Sequence, residues 1–179
     1  GIEPTLTCRI NYNNTISSGN APNGNCYGIY VDTIATLEIN NNTLITTGAS
    51  NTSSSLYSST SILLNNPNLK STISNNNTIK QGIAYNSYGI YINEVKTLTI
   101  NNNANIIASS GSIYAKGIYN TDTTISTVNE HRITNNTFYH GTFSNTATLI
   151  DCIGNDIYHG ILIEANTINK INSFTTIPT

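Results

Sequence analysis

The sequence predicts an all-β chain wound as a parallel β-helix, a solenoid of about six coils of about 30 residues each. Three observations predict it. An apolar residue, a run of asparagines, then Thr and another apolar residue recur along the whole chain, most cleanly at Thr36-Leu37-Glu38-Ile39-Asn40-Asn41-Asn42-Thr43-Leu44. A second phrase, Gly-Ile-Tyr, travels with the first. The apolar stretches are rich in Ile, Leu, Val, Thr and Tyr and alternate with period two, which marks strands. No window carries a sustained helical stripe, and Asn and Thr are poor helix formers.

The first phrase returns at Asn13-Asn14-Thr15-Ile16, Asn76-Asn77-Thr78-Ile79, Asn103-Ala104-Asn105-Ile106, Asn135-Asn136-Thr137-Phe138 and Ala165-Asn166-Thr167-Ile168. The last Asn of each copy falls at 14, 42, 77, 105, 136 and 166, with gaps of 28, 35, 28, 31 and 30. The second phrase is Tyr27-Gly28-Ile29-Tyr30-Val31, Tyr88-Gly89-Ile90-Tyr91-Ile92 and Lys116-Gly117-Ile118-Tyr119. Thr5-Leu6-Thr7-Cys8, Thr36-Leu37-Glu38-Ile39 and Thr97-Leu98-Thr99-Ile100 supply a third strand. Three short strands and their turns in about 30 residues is the arithmetic of one coil.

In order, coils are expected over 1–31, 32–66, 68–96, 97–129, 130–159 and from Gly160 onward. Ser17–Cys26 is a turn or loop. Thr46–Thr60 is Thr, Ser, Gly and Asn and is expected to bulge from the stack, with Leu56-Tyr57 standing in for the second phrase. Ala147-Thr148-Leu149-Ile150 replaces it in the fifth coil. Residues 1–179 form a single domain. Both ends still read as coil, so the chain is expected to be a segment of a longer solenoid.

Stacked coils rise about 4.8 Å each. One Asn per coil can then form a ladder, each amide donating to the next. Asn14, Asn42, Asn77, Asn105, Asn136 and Asn166 are the expected rungs, from their place before Thr and an apolar residue. Asn41, Asn76 and Asn135 are read as turn formers.

These phrases resemble the right-handed parallel β-helix repeat family, best over residues 36–44, 88–106, 116–138 and 160–168. Right-handedness follows from that resemblance and from the preference for right-handed crossovers. The family includes polysaccharide lyases and hydrolases. Asn120-Thr121-Asp122 and the Tyr-His-Gly segments at 139–141 and 158–160 resemble parts of the polygalacturonase pattern, but its Asp-Asp and Arg-Ile-Lys motifs are lacking. A hydrolase would pair Asp122 with Asp151 or Asp156 across the sugar. The plainer reading makes Asn120-Thr121-Asp122 a turn, and no catalytic residue is assigned. Asp32 and Glu94 lie two coils apart, too far to share a calcium ion. His140 and His159 lack the further ligands a metal needs. No metal or cofactor is expected, and the reading leans against an enzyme.

Tyr30, Tyr91 and Tyr119 share one repeated position, and Tyr27 and Tyr88 another. Alternation turns Tyr30 outward if Ile29 points in. The tyrosines are then either a flat strip for sugars or protein partners, or rings stacked to stabilise the solenoid.

Charged residues make up 9% of the chain, against about 25% in an ordinary domain. Polarity is carried by Thr, Ser and 31 asparagines. With a net charge of −2 and no basic cluster, nucleic acid is not an expected partner. No apolar run approaches membrane-spanning length. Cys8 and Cys26 could be bridged, leaving Cys152, or all three could be small buried hydrophobes. Long, weakly charged β-helices of this kind are similar to passenger domains of bacterial autotransporters. That resemblance implies a secreted or outer-membrane-displayed protein acting in adhesion or antigenic display, with a host-cell surface protein or glycan as partner.

Overall fold

The computed structural model describes residues 7–108, 114–121, 131–140, 146–152 and 161–170. The expected fold is present: an all-β parallel solenoid, with every strand pairing among the described residues parallel. About four turns run from Thr7 to Thr121, against the six expected. The later rungs contribute strands whose connections fall outside the described residues.

Each turn has three faces. The first is built by β1 (Thr7–Asn11), β4 (Thr36–Asn40), the second half of β6 (Ser58–Ser74), the second half of β8 (Asn86–Asn101), β11 (His131–Thr134) and β14 (Ile161–Glu164). The second stacks β2 (Thr15–Ser17), β5 (Leu44–Thr46), β7 (Thr78–Lys80), β9 (Ile106–Ala108), β12 (Thr137–His140) and β15 (Thr167–Lys170). The third stacks β3 (Cys26–Val31), the first half of β6, the first half of β8, β10 (Tyr114–Asn120) and β13 (Thr146–Cys152). The long strands β6 and β8 carry the chain continuously from the third face to the first face of the next turn.

Identical apolar types repeat at one register position, so they stack in columns. Ile16, Ile45, Ile79, Ile106, Phe138 and Ile168 make one column on the second face. Ile10, Ile39, Ile73, Ile100 and Ile133 make one on the first, and Ile29, Ile62, Ile90 and Ile118 one on the third. Most of these side chains are wholly buried and touch one another across a narrow core.

The corner between the first and second faces is made the same way in every rung. A residue in the left-handed region (Tyr12, Asn41, Asn75, Asn102, Asn135 or Ala165, φ 53–59°) turns the chain, and an inward Asn follows it. Those asparagines are Asn13, Asn42, Asn76, Asn103, Asn136 and Asn166. Their amides form a continuous ladder, with Nδ2 to next-rung Oδ1 distances of 2.9 Å, lengthening to 3.1 Å at the last step. Each Oδ1 from Asn42 onward also accepts the backbone N–H of the preceding Asn, and each second Nδ2 hydrogen goes to an earlier carbonyl, such as Ile39 O for Asn76. Asn42, Asn76, Asn103 and Asn136 thus make all four bonds an amide can make.

The expected ladder is therefore right at Asn42, Asn136 and Asn166 and displaced at Asn14, Asn77 and Asn105. The inward Asn directly follows the left-handed residue, which is not always the last Asn of the run. In the first four rungs two residues separate it from the inward apolar side chain, but in the last two only one does (Asn136-Thr137-Phe138). Asn14 and Asn77 are exposed, and Asn105 is bonded outside, to Asn77 O at 2.7 Å. Asn76, expected in a turn, is a buried rung.

Two loop expectations change as well. Thr47, Ser50, Ser59 and Thr60 are buried, so only the tip around Asn51–Leu56 leaves the stack. Asn51 Oδ1 closes that tip by accepting the N–H groups of Ser53 and Ser54. The second rung of the third face is Ile62-Leu63-Leu64 and not Leu56-Tyr57. Cys8 and Cys26 are both free thiols. Burial lifts the Cys26 thiol above its ordinary 9.0, against a smaller opposite effect of a backbone hydrogen bond at Ala21.

Candidate functional site

The third face brings the predicted tyrosines together. Its register places Tyr27, Thr60, Tyr88 and Lys116 in one outer column and Tyr30, Leu63, Tyr91 and Tyr119 in the next. Simple alternation would send Tyr27 and Tyr30, three residues apart, to opposite sides. The strand does not alternate in this way. Cys26, Ile29 and Val31 are buried, so the alternation slips by one residue at Gly28, and Ser61 takes the same place in the next rung. A Cβ on Gly28 would lie 2.7 Å from the carbonyl oxygens of both Ser61 and Thr46. On Gly89, the equivalent position two rungs on, it would lie 2.5 Å from Gly117 O. The slip therefore turns both flanking side chains of each phrase outward: Tyr27 and Tyr30, Tyr88 and Tyr91, Lys116 and Tyr119.

The rings form two groups along one strip of the face. Tyr27 and Tyr30 have centroids 5.4 Å apart, Tyr88 and Tyr91 5.1 Å, and Tyr91 and Tyr119 5.1 Å. Tyr88 and Tyr119 stack at 5.0 Å with planes 13° apart. Lys116 Nζ sits 3.5 Å over the Tyr119 ring, a cation–π contact. The intervening rung carries Thr60 and Leu63, which face outward yet are 0% and 8% exposed. In the register they lie between Tyr27 and Tyr30 on one side and Tyr88 and Tyr91 on the other. Burial raises the Tyr27 phenol above its ordinary 10.0; the Asn25 side chain opposes this, and the neighbouring Tyr30 and Tyr91 add to it. Tyr30 remains 52% exposed.

A polar column, missed in the sequence, borders the strip. Asn65 Nδ2 donates to Asp32 Oδ1 at 3.3 Å, and Asn93 Nδ2 donates to Asn65 Oδ1 at 2.6 Å. The Thr121 hydroxyl lies 3.3 Å from Asn93 Oδ1 and 3.4 Å from the Tyr91 hydroxyl. The signal was available: Asp32, Asn65, Asn93 and Thr121 each come two residues after the outer position that Tyr30, Leu63, Tyr91 and Tyr119 occupy.

The hydrolase candidates do not assemble among the described residues. Asp122, Asp156 and His159 lie outside them. Asp151 is described in its backbone alone, in register with Tyr119, and so is His140, in register with Ala108. Asp32 engages Asn65, and Arg9 pairs with Glu38 at 2.8 Å on the first face. No group of three metal-ligating side chains occurs among the described residues, and none of their helices is long and apolar enough to cross a membrane. The third histidine, His131, is buried in the core. Asn120 Nδ2 lies 3.1 Å from its Nδ1, and its Nε2 lies 3.1 Å from Val95 O.

Comparison with protein-family models, curated proteins and solved structures finds no match. The chain is a parallel β-solenoid held by an asparagine ladder and carrying tyrosines on the outside of one face.

Proposed function

We propose that this chain is a non-catalytic binding scaffold displayed outside the cell, acting in adhesion through the tyrosine strip of its third face. One observation carries the reading. Five tyrosines, a contacting pair and a contacting group of three, share the outer surface of one face of a solenoid whose core is already complete without them. Tyrosine offers a broad apolar ring with a polar tip, which suits a surface that must hold a partner and stay wet. The sparse charge of the chain fits contact through shape and hydrogen bonds more than through steering. The partner is a host-cell surface protein or glycan, and a rigid stack would present the strip at a fixed orientation. Antigenic display would use the exposed tip around Leu56.

The test is retention of the labelled chain on cultured animal cells, compared with a Tyr30→Ala/Tyr91→Ala variant that still unfolds cooperatively. Retention that falls with the variant supports adhesion through the strip. Equal retention of both proteins overturns it. Release of reducing ends from polygalacturonate by the chain would replace it with the polysaccharide-degrading alternative.

A further inference from the structure

Resting on that reading, we infer that the strip is a binding site for an uncharged glycan chain lying along the solenoid axis. In this site Asp32, Asn65, Asn93 and Thr121 choose the sugar. Two outer columns run side by side at the same rise. One is aromatic, from Tyr30 over Leu63 to Tyr91 and Tyr119; the other is the carboxylate, amide and hydroxyl column. Three rung steps give the pair a length of about 14 Å.

A pyranose ring has an apolar C–H face and an equatorial rim of hydroxyls. Laid on a tyrosine ring, it turns that rim toward the neighbouring column. Asn65 and Asn93 each spend one amide N–H within the column, to Asp32 and Asn65 respectively, and keep the second. The Asp32 carboxylate keeps one oxygen beyond its bond to Asn65. Hydroxyls, which both donate and accept, match such a mixed row. A protein side chain brings one such group at a time, whereas a sugar chain brings several per rung.

Charge decides which glycan. Asp32 lies in the polar column, while the one lysine in these columns, Lys116, lies against Tyr119. Uronates and sulfated sugars would meet the Asp32 carboxylate and a cation already over a ring. A neutral chain meets no such penalty.

The experiment titrates the whole chain with neutral hexasaccharides (β-glucan, mannan and galactan) and with hexagalacturonate, followed by calorimetry. At least one neutral hexamer should bind, and hexagalacturonate should bind at least tenfold more weakly. Tyr91→Ala should weaken binding about tenfold and Asn93→Ala about fivefold, each from one lost contact. Tyr91→Phe, which keeps the ring, should stay within about twofold. Preference for hexagalacturonate, or indifference to Asn93→Ala with loss in Tyr91→Ala, overturns the assignment of the polar column and of neutrality. Absence of any oligosaccharide binding, with cell retention still dependent on Tyr30 and Tyr91, overturns the glycan and leaves the adhesive strip with a protein partner.

Discussion

Asn76 and Asn77 are adjacent, are both asparagine and both precede Thr78, yet the structure assigns them opposite energetic roles. Asn76 Oδ1 accepts from Asn42 N and Nδ2 at 3.0 and 2.9 Å, and its Nδ2 donates to Asn103 Oδ1 and Ile39 O, both at 2.9 Å. Asn76→Ala removes all four bonds inside a buried column. At about 1 kcal/mol net for each, the loss is about 4 kcal/mol, and the orphaned Asn42 N–H adds to it. Single domains have roughly 5–15 kcal/mol in hand, so this one change takes a large share. Asn77 is exposed, and its side chain meets only Asn105 Nδ2, at 3.5 Å. Asn77→Ala should cost under about 0.5 kcal/mol. Urea unfolding followed by far-ultraviolet circular dichroism reads the difference directly. With a slope of about 2 kcal/mol per molar, Asn76→Ala should lower the midpoint by about 2 M and Asn77→Ala by about 0.2 M. Equal shifts, or a larger one for Asn77→Ala, would refute the ladder as the source of this stability.

Three further outcomes follow from the same geometry. Ala165 holds a left-handed φ of 53° that asparagine tolerates better than alanine, so Ala165→Asn should raise the unfolding free energy by about 1 kcal/mol, read by thermal melting. Gly89→Ala drives a Cβ to 2.5 Å from Gly117 O and should cost about 3 kcal/mol or abolish soluble expression. Gly24→Ala, with its nearest neighbour at 3.9 Å, should be tolerated. The Cys26 thiol and Tyr27 phenol both titrate higher folded than unfolded, chiefly because burial disfavours their anions. Their contribution is complete below the ordinary values of 9.0 and 10.0 and is lost as pH rises through the higher folded ones, so the melting temperature should hold to about pH 9 and then fall. Cys26→Ala should delay the onset of that fall.

Much of this was legible in the sequence because a solenoid writes its geometry as a period. The recurrence of asparagine before Thr announced both the coil and the ladder. The exact rung was not legible wherever asparagines run together, since Asn75, Asn76 and Asn77 are chemically identical and only the left-handed φ at Asn75 decides which amide turns inward. Counting from the last Asn succeeded at Asn42, Asn136 and Asn166 because no further Asn follows there. The outward side of Tyr30 followed from alternation, but that of Tyr27 depended on the slip at Gly28, a packing event between rungs. The column from Asp32 to Thr121 escaped notice because its members differ in type and only the register lines them up. The burial of Thr47, Ser59 and Thr60 in a stretch with the composition of a loop has the same cause: small polar residues fill a corner where neighbouring rungs come close.

The account rests on the strip being a surface for a partner and not a clamp for the stack, and one pair of readings on the same sample separates the two. Tyr30→Ala removes a half-exposed ring whose contact with Tyr27 is 5.4 Å. Its melting curve and its retention on cells would be measured together. The expected result is a stability loss of about 1 kcal/mol, the scale of one aromatic pair, with retention reduced at least about tenfold. A loss of several kcal/mol with retention unchanged would contradict it and make the tyrosines part of what holds the solenoid together.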